Sequence, residues 1–177
     1  PFILIAAALI ARDGHNPFYS QLRIGRHGKT FRMWKLRTMV QDADSLLDAY
    51  LSANPEAHKE WTEIQKLRND PRITPIGRFL RKTSLDELPQ LWNVVAGHMA
   101  LVGPRPIMVS QRKQYSGLSY YNLRPGLTGL WQISDRNNCE FSGRIYYDDL
   151  YDQVLSFSTD VKVIYHSVGV VVRCTGC

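Results

Sequence analysis

The spacing of apolar residues changes character several times along this chain. Pro1 to Ala11 is an unbroken apolar run without a charged residue. Asn16-Pro-Phe-Tyr-Ser-Gln21 and Thr30 to Met39 then read as short extended segments, separated by Gly25 and Gly28, and predict a hairpin. Beyond Met39 the period lengthens to that of helices. Gln41 to Leu51 would carry Leu46, Leu47, Tyr50 and Leu51 on one side. Asn54-Pro55-Glu56 supplies an N-cap, a first-turn proline and an early acid, opening a helix to about Arg68. Asn69-Asp-Pro71 ends that helix as a turn. Thr74-Pro75 opens a shorter one with Ile76, Phe79 and Leu80 beside Arg78, Arg81 and Lys82, a basic amphipathic pattern suited to a membrane interface or to a surface helix on a core. Leu91 to Val95 continues a helix that Gly97 stops. Arg124-Pro125-Gly126 carries a type II turn signal. Tyr146 to Tyr151 is helical, and Ser158 or Thr159 caps a last helix from Asp160 to Val172 bearing Val161, Ile164, Val168 and Val171.

The chain has 177 residues, enough for one domain with a sizeable core. Its formal charge of +6 sits entirely in the first 38 residues, where seven Lys/Arg (Arg12, Arg23, Arg26, Lys29, Arg32, Lys35, Arg37) face one acid, Asp13. A basic block directly after an apolar segment is attracted to an anionic bilayer surface. Phe31 and Trp34 interleave with these cations as stacking platforms would. No nucleic-acid module signature accompanies them, so no nucleic-acid partner is expected. The apolar run is too short to span a bilayer alone, which takes about 20 residues. Three cysteines give no disulfide framework, and the lone Cys174-Thr-Gly-Cys177 spacing lacks two further ligands for structural zinc. Glycine-rich phosphate loops are absent from the sequence.

Two short elements carry the chemistry. Thr83-Ser-Leu-Asp-Glu-Leu-Pro-Gln-Leu-Trp-Asn93 sets Asp86 beside Glu87. Ser84-Leu-Asp-Glu87 also fits a capping box, in which the acid only starts a helix. Pro89, tolerated only in a first turn, moves that start toward Asp86. Under either reading the acids lie at the positive end of a helix. Gly103-Pro-Arg-Pro106 follows about twenty residues on. Its prolines stiffen the backbone around Arg105 and display a guanidinium whose fork suits phosphate. Lys35 and Arg37 share one face of a strand. Arg124 and Arg136 are further candidates for diphosphate or nucleotide contact, and Asp148-Asp149 reads as a solvated second acidic pair.

Ser84-Leu-Asp-Glu-Leu-Pro-Gln-Leu-Trp-Asn-Val94, Leu101-Val-Gly-Pro-Arg-Pro-Ile107, Leu123-Arg-Pro-Gly-Leu-Thr-Gly-Leu-Trp-Gln132 and Phe31-Arg-Met-Trp-Lys-Leu-Arg-Thr-Met39 together resemble the bacterial sugar transferase family, the monotopic polyprenyl-phosphate phosphoglycosyl transferases. The similarity runs from Pro1 to about Val172. It implies an α+β fold: a compact, mostly helical membrane-surface domain with a short sheet element and a truncated re-entrant membrane helix. Residues 1–12 would be the second arm of that helix, with Pro1 at its break and Phe2, Ile3, Leu4 and Ile5 in the membrane; residues 13–177 would be the catalytic domain. The resemblance places Asp86 and Glu87 as nucleophile and metal-site partner. It places Lys35, Arg81, Arg105 and Arg124 as a cationic clamp, with Arg37, Gln132 and Arg136 as further substrate contacts. The implied cofactor is Mg²⁺ or Mn²⁺. The implied reaction moves a sugar-1-phosphate from a UDP-sugar to undecaprenyl phosphate at the cytoplasmic face of the bacterial inner membrane, against an anionic lipid bilayer. The helical insertion from Met39 to Arg72 resembles the exopolysaccharide branch, which transfers galactose or glucose. A membrane-surface binding or regulatory module is the alternative, and a homo-oligomer is left open.

Overall fold

The hairpin forms from the two extended segments predicted around Gly25 and Gly28, its first strand running three residues further than expected, to Ile24. In a computed structural model that describes residues 2–64, 67–134, 141 and 143–172, β1 (Phe18–Ile24) pairs antiparallel with β2 (Thr30–Leu36), Tyr19 opposite Lys35. Alternation along β2 buries Phe31 and Met33 and leaves Arg32 and Trp34 exposed, while Leu36, on the opposite face at the strand's end, is buried in a separate apolar cluster. The free edges of the hairpin are closed by segments from far along the chain. On the β1 side, the Ile24 N–H donates to the Ile107 carbonyl (3.1 Å) and Arg23 bridges Met108, so the residues after Arg105 run beside β1. On the β2 side no strand arrives among the described residues. Instead the buried Asn93 side chain accepts from the Trp34 N–H (3.1 Å) and donates to the Arg32 carbonyl (2.7 Å).

Asn93 thereby pins α5 (Gln90–Val95) to β2. Truncating it strands a part-buried donor and acceptor, each worth about 1–3 kcal/mol when left without a partner. Asn93→Ala should lower Tm by roughly 5–15 °C in a thermal scan. A shift below about 1 °C would show that the edge closure contributes nothing.

Helical elements dominate the remainder. α1 (Phe2–Ile10) turns its small face, Ala6, Ala7 and Ile10, onto Leu36 of β2 and Leu80 of α4 (Pro75–Lys82). Its other face exposes Phe2, Leu4, Ile5 and Leu9. Among the described residues no helix is long and apolar enough to cross a membrane. α4 starts as predicted, with Thr74 Oγ1 accepting from the Gly77 N–H at 3.0 Å. Glycine is required at 77 because a Cβ there would lie 2.0 Å from the Thr38 carbonyl oxygen. α2 (Ala43–Ala53) buries only Leu47, and α3 (Pro55–Ile64) begins at the predicted proline. The Asn54 side chain does not cap α3, however; it turns back to donate to the Tyr50 carbonyl at the end of α2 (2.9 Å).

Further differences from the sequence reading are instructive. β3 (Ala100–Val102) and β4 (Gly126–Thr128) form a second, parallel two-stranded sheet that no alternation announced. Three residues per strand are too few to register a period. Gly126 was read as the left-handed position of a type II turn, yet its φ is not positive. It begins β4, and glycine is needed because a Cβ would sit 2.1 Å from the Gly103 nitrogen. α6 (Ser119–Asn122) and α7 (Leu130–Ser134) were not anticipated. α8 (Arg144–Val154) covers the predicted helix. α9 (Phe157–Val172) starts earlier than expected and is capped by Ser156, whose Oγ accepts from the Thr159 N–H at 3.2 Å, not by Ser158 or Thr159.

Candidate active site

The acidic pair does not start a helix in the expected way. Ser84 adopts a left-handed conformation (φ 57°) and its side chain makes no cap. Residues Leu85–Glu87 form a 3₁₀ turn, and α5 begins only after Pro89. Ser84 and Glu87 therefore form no capping box, and the acids do not sit at a strong helix dipole, because three residues of 3₁₀ turn followed by a six-residue helix carry little dipole. What the left-handed Ser84 does is redirect the chain leaving α4. A non-glycine residue in that region costs of order 1–3 kcal/mol and is held by its surroundings, a pattern concentrated at functional sites. Here it turns the Asp86 side chain inward: Asp86 is only 7% exposed.

Lys35 of β2 meets both acids. Its Nζ donates to Glu87 Oε1 at 2.7 Å and lies 3.9 Å from Asp86 Oδ2. Arg105 approaches the same Glu87 oxygen, with Nη2 at 3.5 Å, and its guanidinium lies 6.0 Å from the centroid of the Trp131 ring. Two ladders hold Arg105 in place. Gly103 N–H donates to the Thr128 carbonyl (2.9 Å) before it, and the strand-like pairing of Ile107 with Ile24 follows it. Arg81 sits on the last turn of α4, its Nε donating to Thr38 Oγ1 at 2.8 Å. It forms no ion pair with Asp86, although its charge favours the Asp86 carboxylate.

Burial dominates the electrostatics of Asp86. Desolvation pushes its pKa above the ordinary carboxylate value, Lys35 opposes that, and the adjacent Glu87 charge adds to it. Asp86 is thus a desolvated carboxylate held beside an ammonium group, a setting that leaves it more basic and more nucleophilic than a solvated one. A narrow cleft opens in front of Glu87, walled by Arg23, Gln90 and Arg105 with Pro106 and Leu127. Arg23 and Arg105 line it with Glu87 as the one carboxylate among its lining residues, while Lys35 stands against the acidic pair itself.

The other expected contacts are placed differently. Arg37 shares no site with Lys35: it donates to the Asn16 (2.8 Å), Met39 (3.1 Å) and Ile10 (3.4 Å) carbonyls and to Asp13 Oδ1 (2.7 Å), binding the end of α1 to the hairpin. Arg124 is exposed, and its backbone packs against Gly103. Gln132 is buried, with Nε2 donating to the Leu127 carbonyl (3.1 Å), so it braces a residue of the cleft wall. Arg136 lies outside the described residues, as do Cys174 and Cys177. Asp148 is not solvated as expected. It is buried and accepts from the Tyr115 hydroxyl, and burial, with Asp149 adding, pushes its pKa up to about 7. Arg23 and Gln90 were missed. Arg23 was visible only as one more cation of the basic block, and Gln90 only as a polar residue at a helix start.

Compared with known sequences, residues 1–174 match the family described as Bacterial sugar transferase. Over 99% of its length the chain is 46% identical to a UDP-galactose-lipid carrier transferase of Erwinia amylovora. Also over 99% of its length, it is 43% identical to an undecaprenyl-phosphate galactose phosphotransferase of Salmonella typhimurium. It spans 37% of the length of each of these two relatives. The exopolysaccharide production protein ExoY of Rhizobium meliloti is 43% identical, a match covering 94% of this chain and 75% of that relative.

Proposed function

The chain belongs to the bacterial sugar transferase family, and on that premise we propose that it is the catalytic portion of an enzyme that transfers a sugar-1-phosphate, galactose or glucose, from a UDP-sugar to undecaprenyl phosphate. The product would initiate an exopolysaccharide or another surface glycan. The observation that carries this reading is the buried Asp86 beside Glu87, both within reach of Lys35, with Glu87 opening onto a cleft that Arg23 and Arg105 also line. A nucleophile alone would not require those cations. A diphosphate, with its own negative charges, does.

The mechanism follows in two displacements. An ionised Asp86 oxygen attacks the β-phosphorus of the UDP-sugar. The bond from that phosphorus to the bridging oxygen breaks, UMP leaves with the electron pair, and a phosphosugar–aspartyl anhydride remains. An oxygen of undecaprenyl phosphate then attacks the same phosphorus, the acyl phosphate bond breaks, and Asp86 is regenerated as a carboxylate. Lys35 holds the acidic pair in register and offsets its charge during both steps. Arg105 and Arg81 stabilise the equatorial phosphoryl oxygens in the transition state. Mg²⁺ or Mn²⁺ fits the donor set: Mg²⁺ is commonly held by one or two carboxylates with substrate phosphates completing its shell, and among the described residues no group of three metal-ligating side chains forms a cage. Glu87 and Asp86 would hold it, and when bound it would neutralise charge on the diphosphate.

The exposed apolar face of α1, the neighbouring basic helix α4 with Phe79 exposed between Arg78 and Lys82, and the cationic block support a seat on the anionic cytoplasmic face of the inner membrane. α1 would be one arm of a re-entrant helix.

The reaction is tested on the full-length protein with undecaprenyl phosphate, Mg²⁺ and a panel of UDP-sugars. UMP release with UDP-galactose or UDP-glucose is expected, together with a phosphohexose adduct on the intact protein. Absence of UMP release across the panel would leave only a binding or regulatory module. The membrane seat is tested by labelling cysteines placed on both flanks of α1 in intact cells; an impermeant reagent reaching the upstream flank from outside would overturn the re-entrant reading.

A further inference from the structure

Two side chains that line the cleft each carry a buried hydrogen-bond donor with no acceptor among the described residues. Arg23 leaves β1 with Nη1 donating to the Pro106 carbonyl (3.2 Å) and Nη2 to Gln21 Oε1 (2.7 Å), while its Nε is buried without a partner. Gln90, the first residue of α5, is only 3% exposed, and its Nε2 is likewise buried without a partner. A buried donor left without an acceptor forfeits the hydration it had in water, and native folds keep few of them unless a site has a use for them. These two belong to side chains lining one narrow cleft, next to Glu87 and Arg105. Among the described residues no carboxylate forms an ion pair with Arg23. Desolvation lowers its pKa, and the Arg105 charge lowers it further. An acceptor-rich anion seated between the two guanidinium groups would supply the missing acceptors and remove the like-charge repulsion together.

We propose that Arg23 and Gln90 bind the phosphate oxygens of the nucleotide-diphosphate donor alongside Arg105, Arg23 through its guanidinium and Gln90 through its amide N–H. The inference rests on the phosphosugar transferase reading above. It adds to that reading a second guanidinium from β1, beside the peptide that carries Arg105, and a neutral donor from α5. Arg23 has a separate structural duty at the Pro106 carbonyl, so activity alone does not separate binding from support.

The test uses the full-length protein with UDP-galactose or UDP-glucose, undecaprenyl phosphate and Mg²⁺, and adds UDP as a competitive probe of the cleft. Arg23→Lys keeps the charge but drops the fork and the Nε donor; Gln90→Met conserves volume and drops the amide. Each should raise the inhibition constant of UDP and the KM of the UDP-sugar about tenfold or more, as expected for a lost hydrogen bond to a charged group. The KM for undecaprenyl phosphate should stay near that of wild type. Gln90→Glu, which places a carboxylate where an anion is to bind, should be worse than Gln90→Met. Unchanged UDP inhibition in Arg23→Lys and Gln90→Met overturns the inference, and so does a lowered Tm with unchanged UDP inhibition, which would assign both donors to the fold. A wild-type protein that neither releases UMP nor binds UDP overturns the parent reading and this one with it, a result visible before any variant is made.

Discussion

Asp86→Asn protein should fold normally and lose turnover by about 10³–10⁶-fold, the range seen when a catalytic nucleophile or its helper is removed. The amide is nearly isosteric with the carboxylate, so the 3₁₀ turn and its packing persist. What disappears is the nucleophile and, with it, the phosphohexose adduct. The same substitution has a second expected signature in stability. The folded-state pKa of Asp86 is raised, chiefly by desolvation. Its contribution to stability is therefore fully present below the ordinary carboxylate pKa and is lost as pH rises through the folded value. At neutral pH the ionised, buried carboxylate is a net cost that asparagine does not carry. Asp86→Asn should accordingly melt at or above the wild-type temperature at pH 7.5, with the gap closing in acid. Because attack requires the ionised form, the acid limb of wild-type kcat/KM should lie above the ordinary carboxylate range. Lys35→Gln removes a charge that holds the Asp86 pKa down, so it should move that limb to higher pH. An Asp86→Asn enzyme with most of its activity, or an acid limb unmoved by Lys35→Gln, would refute the nucleophile assignment.

Arg105→Lys should lower kcat/KM by about a hundredfold even though the charge is kept, the scale of losing one well-placed oxyanion donor. Pro104 and Pro106 stiffen the backbone on either side of Arg105, and the flanking peptides are held by the Thr128 carbonyl before it and by Ile24 after it. The guanidinium is thereby presented from a rigid frame with its planar fork toward the Glu87 side of the cleft. Lysine offers a point charge on a flexible stem, without bidentate geometry and with more rotamer freedom to lose on binding. Steady-state kinetics with UDP-sugar as the varied substrate decides this. Near-normal values for Arg105→Lys would reduce Arg105 to a general positive charge, and equal losses in Lys and Ala variants would make the fork the whole effect.

Local features were legible in the sequence because they depend on neighbours a few residues apart. The β1–β2 hairpin followed from two extended segments separated by Gly25 and Gly28. The start of α4 followed from Thr74-Pro75, and the end of α5 from Gly97, which takes the left-handed conformation expected of it (φ 76°). The adjacency of Asp86 and Glu87 and the stiffened Pro-Arg-Pro element needed no fold to be recognised, and four motifs in order carried the family.

Only the tertiary structure decided which of these residues share a site. Lys35 and Arg37 look alike on a strand, yet one reaches Glu87, 52 positions away, and the other is saturated by Asp13 and three carbonyls. Asp148 carries the same pattern as a solvated helix acid, but the packing of α8 buries it against Tyr115. Gly126 offered a turn signal and turned out to answer a backbone approach from Gly103. The unpartnered donors of Arg23 and Gln90 exist only because β1 and α5 meet at one cleft. The reason is common to all four. Sequence pattern reports the conformation of a short stretch of backbone, while desolvation, charge partners and close approach are set by elements that fold back from distant positions, and the chemistry of this protein resides in those.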